Sequence, residues 1–297
     1  MATPDKKTMP KGIDVSAYDG TPDYAALKKD GVSFVIVRAG YGQGHEDPTA
    51  KPNLQAAAKN AVPAGAYWFS YALSVEDAKR EAADCIACLQ GQKVDLPVFY
   101  DFEYDTLRYA KDKGVTLGKR EYNAFAEAFL DAVTAAGYKP GIYYNPDFLL
   151  NFVDEDLVKK KGYIRWLAHY VEKTTYPFDI WQSGSSDFTG VSGDFDTDYL
   201  AKADLLPKKE EEEALKKVTL ELTQLSKATK AENPKEQVKT LQRLLRELGY
   251  DGNTEKPLAV DGSYGGNTEY AVKDFQRSRD IYPDGICGIK TWSALLG

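Results

Sequence analysis

Short apolar runs of strand length recur along the first two thirds of this 297-residue chain, and stretches of helical periodicity separate most of them. The runs are 12–16, 33–40, 64–71, 96–103, 140–145, 163–170, 178–183 and 193–199, with helical segments near 23–30, 51–61, 74–90, 117–136 and 146–153. Strands that alternate with helices read as βαβ units, which build parallel sheets with the helices packed outside. The last three runs follow one another too closely for crossover helices. The pattern predicts an α/β fold: an irregular TIM-like (β/α)5β3 barrel, parallel, whose final part has lost its helices. In such barrels the groups that do chemistry sit where strands run out into the following loops.

The fourth run ends in carboxylates. Residues 96–104 read Leu-Pro-Val-Phe-Tyr-Asp-Phe-Glu-Tyr. Side chains alternate faces along a strand, so Asp101 and Glu103 point the same way and Phe102 the other. Two carboxyls in each other's field hold a proton longer than either would alone, which a general acid near neutral pH requires. An isolated Asp-x-Glu is more often a solvated loop start. Here Asp14 and the acidic cluster at 194–198 also fall on or near strand ends, and that convergence favours a site.

Composition narrows the chemistry. Only two histidines are present, His45 and His169, and neither Gly-x-Ser-x-Gly nor His-Glu-x-x-His occurs. Zinc hydrolysis and Ser-His or Cys-His nucleophilic chemistry are therefore poorly provided for. Catalysis is expected to run on carboxylates, with no metal and no cofactor. Net charge is −7, and residues 1–206 hold 30 acidic against 23 basic side chains while the remainder is balanced. Neither part has the basic excess that binds nucleic acid or an anionic membrane. No stretch is long enough to span a bilayer, and the N-terminus lacks the apolar core of a signal peptide. Cys85 and Cys88 lie within helical periodicity and read as small core residues. The 20 tyrosines suit carbohydrate binding and an ordinary core equally.

Residues 207–217 form a charged linker, which divides the chain into 1–206 and 218–297. Strict alternation over 218–223 predicts a short strand. Further on, Val238 to Gly249 reads as an amphipathic helix stopped by glycine. The segment Asp261-Gly-Ser-Tyr-Gly-Gly-Asn-Thr268 is then echoed by Asp284-Gly-Ile-Cys-Gly-Ile-Lys-Thr291. Each copy predicts an Asp-Gly turn, a Thr N-cap and a following helix. The sum is a compact three-helix module without a catalytic constellation, suited to binding or spacing.

Two resemblances follow from these motifs. Residues 11–204 resemble the glycoside hydrolase family 25 lysozymes, or Chalaropsis-type muramidases. The matching motifs are Gly12-Ile-Asp-Val-Ser16, Phe34-Val-Ile-Val-Arg-Ala-Gly40, Gly65-Ala-Tyr-Trp-Phe69, Tyr100-Asp-Phe-Glu103, Gly141-Ile-Tyr-Tyr144, Trp166-Leu-Ala-His-Tyr170, Asp179-Ile-Trp-Gln182 and Gly193-Asp-Phe-Asp196. Residues 235–297 resemble the peptidoglycan-binding domain of cell-wall hydrolases through Val238-x-x-Leu-Gln, Asp261-Gly-x-Tyr-Gly, Thr268-x-x-Ala-Val-x-x-Phe-Gln276 and Asp284-Gly-x-x-Gly-x-x-Thr-Trp292.

The resemblance implies hydrolysis of the β-1,4 bond between N-acetylmuramic acid and N-acetylglucosamine in bacterial peptidoglycan, outside the cell or in its wall. Glu103 would be the general acid. Asp101 would stabilise charge at the reacting sugar, with help from the substrate's acetamido group. Asp14 and Asp196 would flank the cleft and tune the pair, and Arg38 would hold a carboxylate in bidentate fashion. Tyr67, Phe69, Tyr71, Tyr143, Trp181 and Gln182 are the substrate-binding candidates. Two departures stand out: Ser183 follows Trp181-Gln182 where the family has tyrosine, and Asp196-Thr-Asp198 replaces Asp-x-Asn. A chitinase-like glycosidase on the same barrel, or a non-catalytic wall-binding protein, are the alternative readings.

Overall fold

The computed structural model describes residues 5–207, 224–229, 233–253 and 257–296. The chain divides into two compact units, Met1–Pro207 and Lys208–Gly297. The strand expected at 218–223, and all of the expected linker except Pro207, lie outside the described residues.

One sheet organises the first unit. Its strands are β1 (Lys11–Val15), β2 (Val32–Tyr41), β3 (His45–Glu46), β4 (Ala64–Phe69), β5 (Val98–Asp101), β6 (Pro140–Tyr144), β7 (Ile164–Ala168), β8 (Ile180–Phe188) and β9 (Val191–Leu200). They lie in the order β1-β9-β8-β7-β6-β5-β4-β2-β3, and β1 also pairs with β2. Eight strands thus close a barrel, and β3 is a short hairpin arm on β2.

The pairings β1–β2, β2–β4 and on through β7–β8 are parallel. Strand β9 breaks the expected all-parallel pattern, running antiparallel to both β8 and β1. The cause is local, because only Thr189 and Gly190 separate β8 from β9. Such a short turn joins antiparallel strands, whereas a parallel crossover needs a dozen residues or more. The inversion brings the early residues of β9 to the same mouth as the C-terminal ends of the other strands.

Helices α1 (Tyr24–Lys29), α2 (Ala50–Lys59), α3 (Val75–Leu89), α4 (Tyr104–Asp112), α5 (Lys119–Ala135), α6 (Pro146–Asn151) and α7 (Glu155–Lys161) lie between the strands. Two of them, α4 and α7, are absent from the sequence reading. The first buries only Thr106 and Ala110, the second only Val158, too little apolar surface to mark a helical period.

Strand alternation splits the core in two. Val35, Trp68, Tyr100, Phe102 and Trp181 face the helices, while Phe34, Tyr67, Phe99, Tyr143 and Trp166 fill the barrel interior. Two glycines make room for this filling. A Cβ at Gly12 would overlap the Phe34 ring, and one at Gly141 would overlap Phe99.

The second unit packs α8 (Lys235–Glu247), α9 (Gly266–Ser278) and α10 (Ile289–Leu296) around Leu225, Leu241, Tyr264, Phe275 and Trp292. The internal repeat has a structural meaning. Gln242 Nε2 donates to Asp261 Oδ1, the Ser263 carbonyl and Thr268 Oγ1, and its Oε1 accepts from Gly262 N–H. Gln276 repeats the pattern with Asp284, Ile286, Thr291 and Gly285. Each buried glutamine staples one Asp-Gly turn to the next helix. Thr268 and Thr291 are therefore not N-caps: they sit in the third position of α9 and α10, buried against the glutamines.

Candidate active site

The mouth of the barrel opens into a cleft of about 520 Å³. Asp14 is the last but one residue of β1, Asp101 ends β5, Glu103 precedes α4 and Asp196 lies on inverted β9. All four line the cleft, as do Tyr67, Phe69, Tyr143 and Gln182. Two expected residues do not. Trp181 is fully buried on the opposite face of β8, its indole N–H donating to the His169 carbonyl at 2.8 Å. Alternation decides this, since Gln182 points inward and its neighbour must point out. Tyr71 lies beyond the end of β4, in a depression beside the cleft.

Gln182 organises the acids. Its Nε2 donates to Asp14 Oδ2 at 2.7 Å and to Asp196 Oδ2 at 3.4 Å, and its Oε1 accepts from Tyr143 OH at 3.0 Å. Tyr170 OH donates to Asp196 Oδ1 at 2.9 Å. Of the three acids on β9, Asp194 and Asp196 face the cleft. Asp198 is buried and accepts from Trp166 Nε1 at 2.7 Å. Arg38 reaches the fully buried Asp47 through Nε at 2.7 Å, so the expected carboxylate partner is present, held by a single nitrogen. Its guanidinium also lies over Tyr18 and Tyr41.

Electrostatics favour protonated carboxyls. Burial, then the charge of Asp196, pushes Asp14 up to about 7, against the hydrogen bond from Gln182. Burial holds Asp101 well above the usual carboxylate range, with Glu103 and Asp14 adding to it. Its Oδ1 is buried without a hydrogen-bond partner, a costly state that a ligand N–H could relieve. Glu103 is also raised, by burial first and then by Asp105 and Asp196. Three carboxyls with raised affinity for protons share one cleft, the kind of setting in which acid and base catalysts are found.

Behind the cleft, Glu103 N–H donates to Thr106 Oγ1 at 3.3 Å, and Thr106 Oγ1 donates to the Ser70 carbonyl at 2.7 Å. The sequence reading proposed no role for Ser16, Tyr18, Asp19, Trp166, Tyr170 or Ser185, which also line the cleft. Tyr170 had a signal, since it ends a motif on the strand before Gln182. Tyr18 and Asp19 sit in a turn without periodicity.

Residues 13–189 match the model of glycosyl hydrolases family 25, and residues 234–295 match that of a peptidoglycan binding domain. The autolytic lysozyme of Clostridium acetobutylicum is 25% identical over 292 residues, spanning 96% of this chain and 78% of that protein. A lysozyme of Lactococcus phage mv1 is 29% identical over 164 residues, 54% of this chain and 78% of its own. Among solved structures, the modular autolysin LytC from Streptococcus pneumoniae, in complex with a synthetic peptidoglycan ligand, superposes with a TM-score of 0.57 at 22% identity. That likeness covers 65% of this chain and 47% of the autolysin, and it speaks for the fold. With the family model spanning more than half of the sequence, from the first barrel strand into the β8–β9 turn, the chain belongs to glycosyl hydrolases family 25.

Proposed function

We propose that this protein hydrolyses the β-1,4 bond between N-acetylmuramic acid and N-acetylglucosamine in bacterial peptidoglycan, with Glu103 as the general acid. The observation that carries the reading is Asp101: a buried carboxyl beside Glu103, lining the cleft, with one oxygen left without a donor.

In the free protein burial raises the proton affinity of Asp101. A substrate acetamido N–H placed against Oδ1 would stabilise the ionised form of Asp101 and leave Glu103 as the protonated partner. Glu103 then gives its proton to the glycosidic oxygen as the bond from that oxygen to the sugar's C1 breaks. The acetamido carbonyl oxygen attacks C1 from the other face, and Asp101 offsets the positive charge that develops on the amide. Water next attacks C1, Glu103 takes the water proton, and the ring intermediate reopens with retained configuration. Asp14 and Asp196, bridged by Gln182, flank the reacting centre and tune the proton affinity of Asp101 and Glu103. The matched binding domain holds the enzyme on its insoluble substrate, so its place of work is the wall, outside the membrane.

Digestion of purified peptidoglycan followed by mass spectrometry tests this. New reducing ends on N-acetylmuramic acid are expected. Reducing ends on N-acetylglucosamine, or faster cleavage of chitin oligomers, would overturn it.

A further inference from the structure

The β3 arm and the loop that joins it to β2 take no part in closing the barrel, yet they are held firmly. Trp68 Nε1 donates to the Gly42 carbonyl at 3.0 Å, Gln43 Nε2 donates to Asp77 at 2.7 Å, and Gly44 N–H donates to Asp84 at 2.7 Å. The turn after β1, the hairpin and α4 carry aromatic rings that the core does not need. Tyr18 is 91% exposed, and Tyr41 and Tyr109 are each 37% exposed. These rings order one another. Tyr41 stacks on His45 at 5.0 Å, while Tyr71 packs against Phe69 and Tyr109, each at 5.2 Å.

The surface they form is continuous with the cleft. A depression of about 510 Å³ shares Tyr18, Arg38 and Phe69 with the cleft. A second, of about 480 Å³, shares Tyr41 and Tyr71 with the first and ends at His45 and Tyr109. Apolar ring faces line this trough, and hydroxyl, amide and imidazole groups rim it. That mixture matches a sugar chain, whose C–H faces pack on rings while its hydroxyl and acetamido edges need donors and acceptors. Among the described residues that line the trough, the one Arg or Lys, Arg38, is paired to Asp47 and the one carboxylate, Asp105, is paired to Arg108, so little charge is free to select a peptide or a lipid headgroup.

We propose that this aromatic trough holds the sugars of the glycan strand that lie beyond the cleaved bond, and so makes the enzyme prefer long strands. Rings ordered before binding lose little freedom when a sugar packs on them. The inference rests on the muramidase reading and adds subsites built by Tyr41, His45 and Tyr109.

The test measures kcat/KM of the full chain on peptide-free glycan strands of four and of eight sugars. The wild type should favour the longer strand by about tenfold, and Tyr41→Ala/Tyr109→Ala should reduce that preference to about twofold or less. Tyr41→Phe/Tyr109→Phe keeps the rings and should keep the preference. A wild type without length preference, an alanine variant that retains it, or equal loss at both lengths would overturn the trough. Failure of the wild type to cleave either strand would instead sink the muramidase reading, and the subsites with it.

Discussion

The backbone N–H of Ser70 donates to the carbonyl of Asp101 at 2.7 Å, which locks the end of β4 to the strand end that carries the acids. The Ser70 hydroxyl in turn donates to Glu81 Oε2 at 2.6 Å and lies 2.9 Å from Tyr100 OH, while its carbonyl accepts from Thr106, the residue that holds Glu103 N–H. A fully buried carboxyl on α3 thus supports the backbone of both Asp101 and Glu103.

That support has a pH signature. Burial pushes Glu81 from 4.5 up to about 7, against hydrogen bonds from Ser70 and Tyr71. The folded protein keeps a proton that the unfolded chain has lost over that interval. The stability that Glu81 contributes is therefore full below pH 4.5, falls as the pH rises to about 7, and is lost above. The loss is roughly 3 kcal/mol at most. Thermal unfolding of Glu81→Gln should show a shallower fall across this window; an unchanged slope would remove Glu81 from the account.

Glu103→Gln should lower turnover of peptidoglycan by ~10²–10⁴-fold, because the amide keeps the shape but cannot deliver a proton. Folding and wall binding should persist, as judged by circular dichroism and pull-down. Clearing of walls within a few-fold of wild type would remove Glu103 from the acid role.

Asp196→Asn should move the alkaline limb of kcat/KM to lower pH. The reaction needs Glu103 protonated, and the Asp196 charge is one of the causes, after burial and Asp105, that raise Glu103. Removing it lets Glu103 ionise sooner. A limb that stays in place or moves upward contradicts the proposed coupling.

Gln276→Ala should destabilise the C-terminal unit by about 2–4 kcal/mol, since it strands several buried donors and acceptors at once. The catalytic rate on soluble fragments should not change. Unfolding of the fragment 218–297 followed by circular dichroism would measure the loss, and an unaltered midpoint would mean the staple contributes nothing.

A chain ending at residue 206 should cleave soluble fragments as the full protein does, yet clear intact walls more slowly. A tethered enzyme works at a higher local concentration of polymer without any new contact in the cleft. Equal clearing rates would reduce residues 207–297 to a spacer.

Local patterning carried the alternation of strands and helices, the Asp101–Glu103 pair, the Asp-Gly repeat and the three helices of the second unit. Each depends on neighbours a few residues apart. The polar α4 and α7 escaped notice because they bury too little to imprint a period. Other features depend on residues far apart in sequence. The two-residue turn after β8 set β9 antiparallel, but only closing the barrel against β1 brought Asp196 to Asp14 and left Asp198 beneath them against Trp166. It turned Trp181 into the outer core while Gln182 bridged the two aspartates. It also supplied the burial that raises the proton affinity of these carboxyls, because desolvation is a property of the enclosing structure and not of any motif.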